Sequence, residues 1–323
     1  MLDVMFYEVF AEEEKGLRAQ LPKNIKAKFT WKAVQECGPH PRPASFISIR
    51  TQSIIPTTWA KDLKGILTRS TGYDHILEYR RVAKRNIPSG YLPHYCARAV
   101  AEQAILIMLG LWRKFKLQTK KFETFNRDGL TGNECFNKRL LVVGVGNIGR
   151  QIVDVAQGLR MEVRGVDLHR PVKKLKYVSL SAGVAWADVI ICALPLTPDT
   201  HGLLNYRLLQ KGRPDKIFIN ISRGEIAPLK DLARLLKQNK ISGLGLDVFE
   251  EEKLLAENLR AAKKSNHWAV KIVEELKEKD NVIFTPHNAF NTHEAVERKI
   301  KDSVVSTISF LKSGIFPTPI PRA

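Results

Sequence analysis

Short apolar runs alternate with helix-forming stretches over the second half of this chain. Six runs rich in aliphatic residues cover residues 140–143, 162–166, 189–193, 217–221, 244–248 and 282–285. Runs such as VIICA and IFINI are apolar throughout, which is typical of strands that are buried on both faces of a parallel sheet. Strands that alternate with helical crossovers predict a doubly wound α/β fold.

The first 93 residues show a mixed pattern, in which short apolar runs such as Phe46–Ile49 and Gly65–Thr68 are separated by turns that contain Pro or Gly. This pattern predicts a small α/β unit. Residues 97–121 contain no Pro and carry apolar residues at helical spacing, so we expect one long helix that links two domains. Residues 252–282 predict a helical excursion, and residues 294–311 predict an amphipathic helix.

Length and composition support a two-domain globular protein. The chain has 323 residues, of which 44% are hydrophobic and 26% charged. The longest apolar run, residues 104–112, is shorter than the roughly 20 residues of a membrane span, and the first ten residues lack the basic residues of a targeting signal. The four cysteines include no Cys-x-x-Cys pair, so neither a zinc site nor a disulfide framework is indicated. We expect a cytoplasmic protein without a metal.

The formal net charge is +19, from 52 Lys and Arg against 33 Asp and Glu. Such a charge attracts nucleic acids, anionic surfaces or small anionic ligands. The basic residues are distributed over several segments, and the sequence contains no helix-turn-helix, zinc finger or aromatic-basic motif. We therefore interpret the charge as a general positive field that favours small anions, and we expect no nucleic acid and no membrane as a partner.

A glycine-rich segment follows the first of the six apolar runs. The sequence LLVVGVGNIGRQIV places Gly144, Gly146 and Gly149 after a predicted strand and at the start of a predicted helix. There, Gly144 permits a tight turn, Gly146 lets the backbone approach a pyrophosphate, and Gly149 allows close helix packing. Asp167, at the end of the next strand, is placed to accept hydrogen bonds from a ribose 2′-hydroxyl. The segment predicts a dinucleotide site that prefers NAD, although the basic residues after Asp167 leave NADP open.

Polar side chains follow three of the later runs, where the predicted strands end. Arg223 follows IFINI, Glu252 follows GLDV, and His287 follows VIF. Because ligands bind at the carboxyl ends of parallel strands, we expect these side chains at one rim. Reduction of a 2-keto acid needs a proton donor and a cation for the carboxylate. His287 can supply the proton, Glu252 can orient the ring and favour its charged form, and Arg223 can bind the carboxylate.

The motifs RSTGYDHI, IPSGYLPHYCARAVAE, GVGNIG, ALPLTPDTHGLL, NISRGE, GLDVFEEE and TPHNAF occur in this order along the chain. In that order they resemble the D-isomer-specific 2-hydroxyacid dehydrogenase family. The resemblance extends from about residue 68 to residue 311 and is weak in the first 60 residues. It implies that Arg223, Glu252 and His287 are catalytic and that the cofactor is NAD.

The resemblance also implies substrate contacts. Ser70, Thr71 and Gly72 match a loop that holds the substrate carboxylate through backbone amides. Within the family the chain is most similar to D-lactate dehydrogenases, in which Tyr95 matches a substrate-contacting tyrosine and Phe290 an aromatic residue beside the substrate methyl group. The cofactor contacts expected from these motifs are Gly144, Gly146, Asn147, Ile148, Gly149, Asp167, Leu194, Pro195, Ser222 and Asp247.

The architecture implied by the resemblance has two Rossmann-like domains with doubly wound parallel sheets, joined by two linking helices. Residues 1–97 and 290–323 would form the substrate or catalytic domain, and residues 98–289 the NAD-binding domain. A homodimer is the expected assembly.

The expected reaction is the NADH-dependent reduction of a small 2-keto acid, with pyruvate as the first candidate, to the D-2-hydroxy acid. Two alternatives stay open. One is a phosphoglycerate, glyoxylate or hydroxypyruvate dehydrogenase of the same family. The other, from a different class, is an NAD-regulated scaffold similar to the C-terminal-binding co-repressors, or a nucleic-acid binder.

Overall fold

The computed structural model describes residues 2–38, 42–261 and 265–322. The chain divides into two compact units. Met1–Cys96 and Asn291–Ala323 form one, which we call the terminal unit, and Ala97–Phe290 form the other, the central unit. Each unit contains one parallel sheet. The predicted fold class of two parallel-sheet α/β domains is therefore confirmed.

Strands and helices alternate along both units. In the described ranges the strands are β1 (Val4–Phe6), β2 (Ala27–Phe29), β3 (Phe46–Ile49), β4 (Gly65–Thr68), β5 (Ser89–Gly90), β6 (Arg139–Val143), β7 (Glu162–Val166), β8 (Lys176–Tyr177), β9 (Val189–Cys192), β10 (Ile217–Asn220), β11 (Gly243–Leu246) and β12 (Val282–Phe284). The α-helices of the same ranges are α1 (Ala11–Gln20), α2 (Asp74–Ala83), α3 (Ala97–Trp112), α4 (Phe115–Lys121), α5 (Asn147–Gly158), α6 (Leu180–Trp186), α7 (Tyr206–Leu209), α8 (Leu229–Lys237), α9 (Glu252–Arg260), α10 (Trp268–Lys277) and α11 (His293–Ser313).

The terminal unit has a five-stranded sheet in the order β2-β1-β3-β4-β5. The strand order reverses between β1 and β3, so this pair forms the switch point at which open α/β sheets commonly bind ligands. Strands β3 and β4 are buried at every position, as their apolar sequences require. Helix α11 packs against α1 and β4, and it confirms the amphipathic helix predicted for residues 294–311.

The central unit has a seven-stranded sheet in the order β12-β11-β10-β9-β6-β7-β8. Its order reverses between β6 and β9, which places a second switch point at the carboxyl end of β6. The six predicted strands are all present, and the sequence did not indicate β8, which has only two residues. Helix α3 packs against α5 and against β10, β11 and β12.

The prediction of one long helix over residues 97–121 is wrong. The segment forms α3 and α4, and the break between them is at Lys114, whose φ of +51° is left-handed. The Lys114 ammonium donates to the Gly129 carbonyl at 2.8 Å, which holds the turn in place. Neither Gly nor Pro occupies this break, so no local sequence pattern predicted it.

The predicted helical excursion over residues 252–282 contains α9 and α10. Residues 262–264, in the middle of that expectation, lie outside the described residues. None of the helices in the described part of the chain is both long and apolar enough to cross a lipid bilayer.

We expect Phe310→Ala to lower the free energy of unfolding by about 3–5 kcal/mol, because it removes a buried ring from the contact of α11 with β3. The Phe310 ring lies 4.8 Å from that of Phe46 and is stacked at 4.4 Å on that of Phe316. Urea denaturation measures the difference. Leu311→Ala is the control, since Leu311 is 38% exposed in the same helix. Equal losses in both variants would contradict the packing described here.

Candidate active site

Two predicted catalytic side chains of the central unit are in direct contact. Glu252 is the first residue of α9, which follows β11, and His287 follows β12. The imidazole Nδ1 of His287 lies 2.6 Å from Oε1 of Glu252. Each side chain is 21% exposed, so the pair is partly shielded from water but accessible to a ligand. With Nδ1 bound to the carboxylate, Nε2 is the ring atom that can donate a proton to a substrate oxygen.

The electrostatics of the pair favour an ionised Glu252. Burial by itself would raise the pKa of Glu252, but the His287 charge, the hydrogen bond to that ring and the Arg223 charge outweigh burial and hold the pKa below its ordinary value. The amide of Phe249 also donates to Oε2 of Glu252, at 3.4 Å. A carboxylate that stays charged can compensate a protonated imidazole and fix its orientation.

Arg223 lies at the carboxyl end of β10, in extended backbone before the short 3-10 turn Gly224–Ile226. Its Nη1 donates to the Ser222 carbonyl at 2.8 Å, and its own carbonyl accepts from the Asn220 side chain at 2.8 Å. The side chain is half-buried. Because Arg223, Glu252 and His287 follow the neighbouring parallel strands β10, β11 and β12, all three residues lie at the carboxyl ends of this sheet.

The backbone of His287 is left-handed, with φ of +50°, which is uncommon for a residue with a side chain. Asp247 holds the surrounding loop: Oδ1 accepts from the Thr285 hydroxyl at 2.5 Å and from the Asn288 amide at 2.8 Å, and Oδ2 accepts from the Ala289 amide at 3.0 Å. Asp247 is only 1% exposed. Its burial raises the pKa of its carboxyl group, against the effect of the Thr285 hydrogen bond and the His287 charge.

Sequence reasoning missed this function of Asp247, which we expected only as a cofactor contact. The residue directly follows β11, and the loop that it binds directly follows the adjacent β12. The sequence feature that could have predicted this function is an acidic residue directly after a buried strand. Its cofactor contact stays a prediction.

The glycine loop has the backbone that a dinucleotide requires. Gly144 has φ of +94°, and a Cβ there would lie 2.7 Å from the Ala193 carbonyl oxygen. A Cβ on Gly149 would overlap the Gly144 carbonyl, so α5 approaches β6 as closely as it does only because Gly149 has no side chain. At Gly146, by contrast, a Cβ would meet no atom of the described residues within 4 Å. The loop thus leaves open space at the amino end of α5, where Asn147 and Ile148 form the first turn.

Asp167 lies beside this loop. Its Oδ2 accepts from the Val145 amide at 2.7 Å and its Oδ1 from the His169 amide at 2.8 Å. The carboxylate is half-buried and fixed next to the space at Gly146, which fits the ribose of a dinucleotide bound there.

The remaining predicted cofactor contacts follow β9, which pairs with β6, and β10, which pairs with β9. Leu194 is half-buried and Pro195 is exposed. Ser222 donates its hydroxyl to Asn220 at 2.9 Å and lies 3.1 Å from the Cys192 sulfur. All three stand at strand ends near the glycine loop.

The predicted carboxylate loop belongs to the terminal unit and follows β4. The Ser70 hydroxyl lies 2.6 Å from that of Thr68 and donates to the Gly72 carbonyl at 2.7 Å. The Thr71 hydroxyl donates to the Leu92 carbonyl at 3.2 Å. Because both hydroxyls are engaged within the unit, an anion at this loop would be bound by backbone amides.

The two predicted aromatic substrate contacts are buried within separate units. Tyr95, in the terminal unit, is 3% exposed, and Phe290, at the end of the central unit, is 5% exposed. Burial, followed by the Cys96 charge, raises the pKa of Tyr95 well above its ordinary value. Tyr95 is therefore a neutral phenol, and the substrate roles of both residues stay predictions.

Comparisons with known proteins show which families and structures this chain resembles. The family model for the NAD-binding domain of D-isomer-specific 2-hydroxyacid dehydrogenases matches residues 105–289. A D-lactate dehydrogenase of Lactiplantibacillus plantarum is 29% identical over 265 residues, which cover 80% of this chain and 78% of that protein. A glyoxylate reductase of Pyrococcus furiosus is 29% identical over 273 residues, which cover 80% of this chain and 76% of that protein.

A solved structure extends the similarity to the whole chain. The D-lactate dehydrogenase of Aquifex aeolicus, crystallised with NAD and lactic acid, superposes with a TM-score of 0.86 at 27% identity. The match covers 99% of this chain and 100% of that one.

We expect Gly146→Ala to weaken NADH binding at least about fivefold without changing stability, since its Cβ would enter the open space but touch no protein atom. Titration of the NADH fluorescence measures the affinity, and thermal melting measures the stability. Gly149→Ala is the matched variant, because its Cβ overlaps the Gly144 carbonyl and should lower the melting temperature. Unchanged NADH affinity in Gly146→Ala would contradict the assignment of this space to the cofactor.

Proposed function

Because this chain belongs to the D-isomer-specific 2-hydroxyacid dehydrogenases, we propose that it reduces a small 2-keto acid, pyruvate or a close relative, to the D-2-hydroxy acid with NADH. The observation that carries this proposal is the 2.6 Å contact of His287 with Glu252, within reach of the Arg223 charge. It combines a proton donor, a counter-charge and an anion-binding cation at the carboxyl edge of a dinucleotide-binding sheet.

NADH supplies the hydride that reduces the carbonyl carbon of the substrate. The open space at Gly146 and the amides at the start of α5 suit its pyrophosphate, and the fixed carboxylate of Asp167 suits its adenosine ribose. The other proposed cofactor contacts are Gly144, Asn147, Ile148, Gly149, Leu194, Pro195, Ser222 and Asp247.

His287 is the proposed acid. Negative charge develops on the carbonyl oxygen as the carbon is reduced, and Nε2 of the protonated ring donates its proton to that oxygen. The products are the 2-hydroxy acid, NAD⁺ and a neutral imidazole, which takes up a proton from solvent before the next turnover. Glu252 stays ionised through this cycle because its pKa is held below the ordinary range.

Arg223 is the proposed substrate cation. Its planar guanidinium can bind the substrate carboxylate and polarise the neighbouring carbonyl. From the motifs we assign the backbone amides of Ser70, Thr71 and Gly72 to a substrate carboxylate, and we assign Tyr95 and Phe290 to other substrate contacts. These assignments follow the motifs of the sequence, the hydrogen bonds that order the loop and the burial of Ser70, Tyr95 and Phe290.

A glyoxylate or hydroxypyruvate reductase is the second candidate. It is supported by the glyoxylate reductase of Pyrococcus furiosus, which is as similar in sequence as the D-lactate dehydrogenase of Lactiplantibacillus plantarum. Values of kcat/KM for pyruvate, glyoxylate and hydroxypyruvate separate the two candidates. The acid and its paired carboxylate favour either enzyme over an NAD-regulated scaffold.

We also propose a cytoplasmic homodimer, formed through an aromatic surface of the central unit. This surface consists of Phe115, Phe122 and Phe125, which are 61%, 75% and 78% exposed. Lysines of the same segment bind the rest of their own unit, as Lys120 does with Asp280 at 2.6 Å. The segment that contains the three rings is thus bound to its own unit while the rings are exposed to solvent. Exposed apolar groups of this kind are typical of protein–protein interfaces. The four cysteines, all within the described ranges, are free, which suits a reducing compartment.

We expect a His287→Ala variant to lose about 100-fold or more in turnover with pyruvate, since general acid catalysis contributes at least that much. Stopped or continuous assays of NADH absorbance measure the rate, and fluorescence titration should show unchanged NADH binding. His293→Ala, at an exposed histidine on α11, is the control. Turnover at the native rate in His287→Ala would refute the proposed acid.

The double variant Phe122→Glu, Phe125→Glu should be monomeric, because two buried charges at an interface oppose association. Light scattering after size exclusion should give a mass near 36.6 kDa for this variant and twice that mass for the native chain. Ile54→Glu, at an exposed position of the terminal unit, should leave the dimer intact. A monomeric native chain would refute the proposed assembly.

A further inference from the structure

The terminal unit contains a group of buried charged side chains that have no function in the reaction proposed above. We call Glu13, Arg50, Arg69 and Lys299 the charge cluster. The side chains of Glu13, Arg69 and Lys299 are 0% exposed, and Arg50 is half-buried. Charged groups are rarely buried without a specific function, because removing them from water is costly.

Arg69 has a structural function in this cluster. Its Nε donates to Oε1 of Glu13 at 3.0 Å, its Nη1 to the Ser48 hydroxyl at 3.0 Å, and its Nη2 to the carbonyls of Tyr7 and Glu8 at 2.7 and 2.9 Å. The guanidinium thus connects the ends of β1, β3 and β4. Glu13 and Arg69 would form a neutral pair without any further cation.

Lys299 and Arg50 add positive charge to this pair. The Lys299 ammonium lies 3.3 Å from Oε2 of Glu13 and 5.3 Å from the centre of the Phe10 ring. The Arg50 guanidinium lies 4.6 Å from the centre of the same ring. Two cations therefore share one aromatic ring at the place where α1 begins.

The other nearby carboxylate belongs to Glu8, and it is bound by the backbone. It accepts from the amides of Arg50, Gln52 and Ser53 and from the Ser53 hydroxyl. The charge cluster and Glu8 together contain three cations and two carboxylates. With Lys299 protonated, this set has one positive charge in excess, which an anionic ligand can compensate.

Burial and the positive charge of this region lower the pKa of the Lys299 ammonium. Burial, with the charges of Arg50 and Arg69 acting in the same direction, lowers its pKa to about 7, although Glu13 opposes the change. A bound anion would stabilise the ammonium form. The charged groups that act on Lys299 are Glu13, Arg50 and Arg69. The titratable side chains of Tyr95 and Cys96 face it as well.

The cluster stands where the topology of the terminal unit predicts a ligand. Phe10 follows β1 and Arg50 follows β3, the two strands at the switch point of the sheet. Ile49 is paired with Thr68 in the adjacent β4, and the Arg69 amide donates to the Ile49 carbonyl at 2.8 Å. Arg50 is therefore next to the loop of Ser70, Thr71 and Gly72.

A second contact connects the cluster to the proposed substrate residues of the same unit. The Lys299 ammonium lies 6.0 Å from the centre of the Tyr95 ring. The adjacent Cys96 sulfur lies 3.4 Å from the Thr71 hydroxyl. The cluster, Tyr95 and the carboxylate loop are thus continuous within the terminal unit.

We propose that Arg50 binds the second carboxylate of a short dicarboxylic 2-keto acid, whose reacting end is bound by the loop of Ser70, Thr71 and Gly72, and that the charge of the buried Lys299 favours this anion. The inference rests on the proposed function and narrows its substrate class. Arg50 supplies accessible donors to the carboxylate, and Lys299 supplies charge from the interior. Pyruvate, which ends in a methyl group, leaves this subsite without an anion.

Matched substrates test the proposal on the native enzyme. 2-Ketoglutarate and 2-ketovalerate have the same five-carbon chain and differ in a terminal carboxylate against a methyl group, as do oxaloacetate and 2-ketobutyrate with four carbons. We expect kcat/KM to favour the dicarboxylic member of at least one pair by about tenfold or more, as a charge-assisted hydrogen bond implies. Preference for the monocarboxylic acid in both pairs overturns the proposal. No NADH oxidation with any 2-keto acid would instead overturn the proposed function.

Two variants assign the preference to the cluster. Lys299→Met and Arg50→Gln should each lower the ratio of kcat/KM between the paired substrates about tenfold or more. Lys301→Met is the control, at an exposed lysine of the same helix, and should keep the native ratio. A native ratio in both cluster variants overturns the assignment.

The pH dependence gives a measurement that needs no variant to fold. Lys299 is charged below its pKa of about 7, so the ratio of kcat/KM should fall as pH rises through 7. Effects of His287 and Glu252 are common to both substrates and cancel in the ratio.

If circular dichroism shows that Lys299→Met does not fold, the Arg50→Gln variant and this pH profile together test the proposal. A ratio independent of pH between 6 and 9 would count against Lys299, and a native ratio in Arg50→Gln as well would overturn the proposal.

Discussion

The contact between Glu252 and His287 is the interaction on which the proposed chemistry depends. It joins the start of α9 to the loop after β12, so it forms only if the parallel strands β11 and β12 bring their carboxyl ends to one level. The buried Asp247 carboxylate accepts three hydrogen bonds from this loop, and the loop holds His287 in a left-handed backbone conformation. The scaffold thus stabilises a strained residue at the point where proton transfer is proposed.

The central unit was largely predictable because its signals are local. Apolar runs marked six strands, and Gly144, Gly146 and Gly149 marked the turn after β6 by a spacing that the backbone geometry explains. The rim positions of Arg223, Glu252 and His287 follow from strand ends in a parallel sheet. The left-handed turn at Lys114 had no such signal, since a lysine there is unusual and is stabilised by a carbonyl distant in sequence.

The terminal unit was less predictable because its important contacts join distant parts of the chain. Lys299 lies on a face of α11 that packs against α1 and β4, where an apolar residue would be ordinary. Its partner, Glu13, is near the other end of the sequence, so the local sequence around either residue does not predict the ion pair. The charge cluster assigns a specific proposed function to a few of the basic residues behind the net charge of +19. Composition alone indicated only a general positive field.

The stereochemistry of the product tests whether this chain is a D-specific 2-keto acid reductase. The purified chain is incubated with NADH and a 2-keto acid, and the 2-hydroxy acid formed is resolved by chiral chromatography. We expect oxidation of NADH with formation of the D enantiomer alone. Formation of the L enantiomer, or no consumption of NADH with any 2-keto acid, would contradict it.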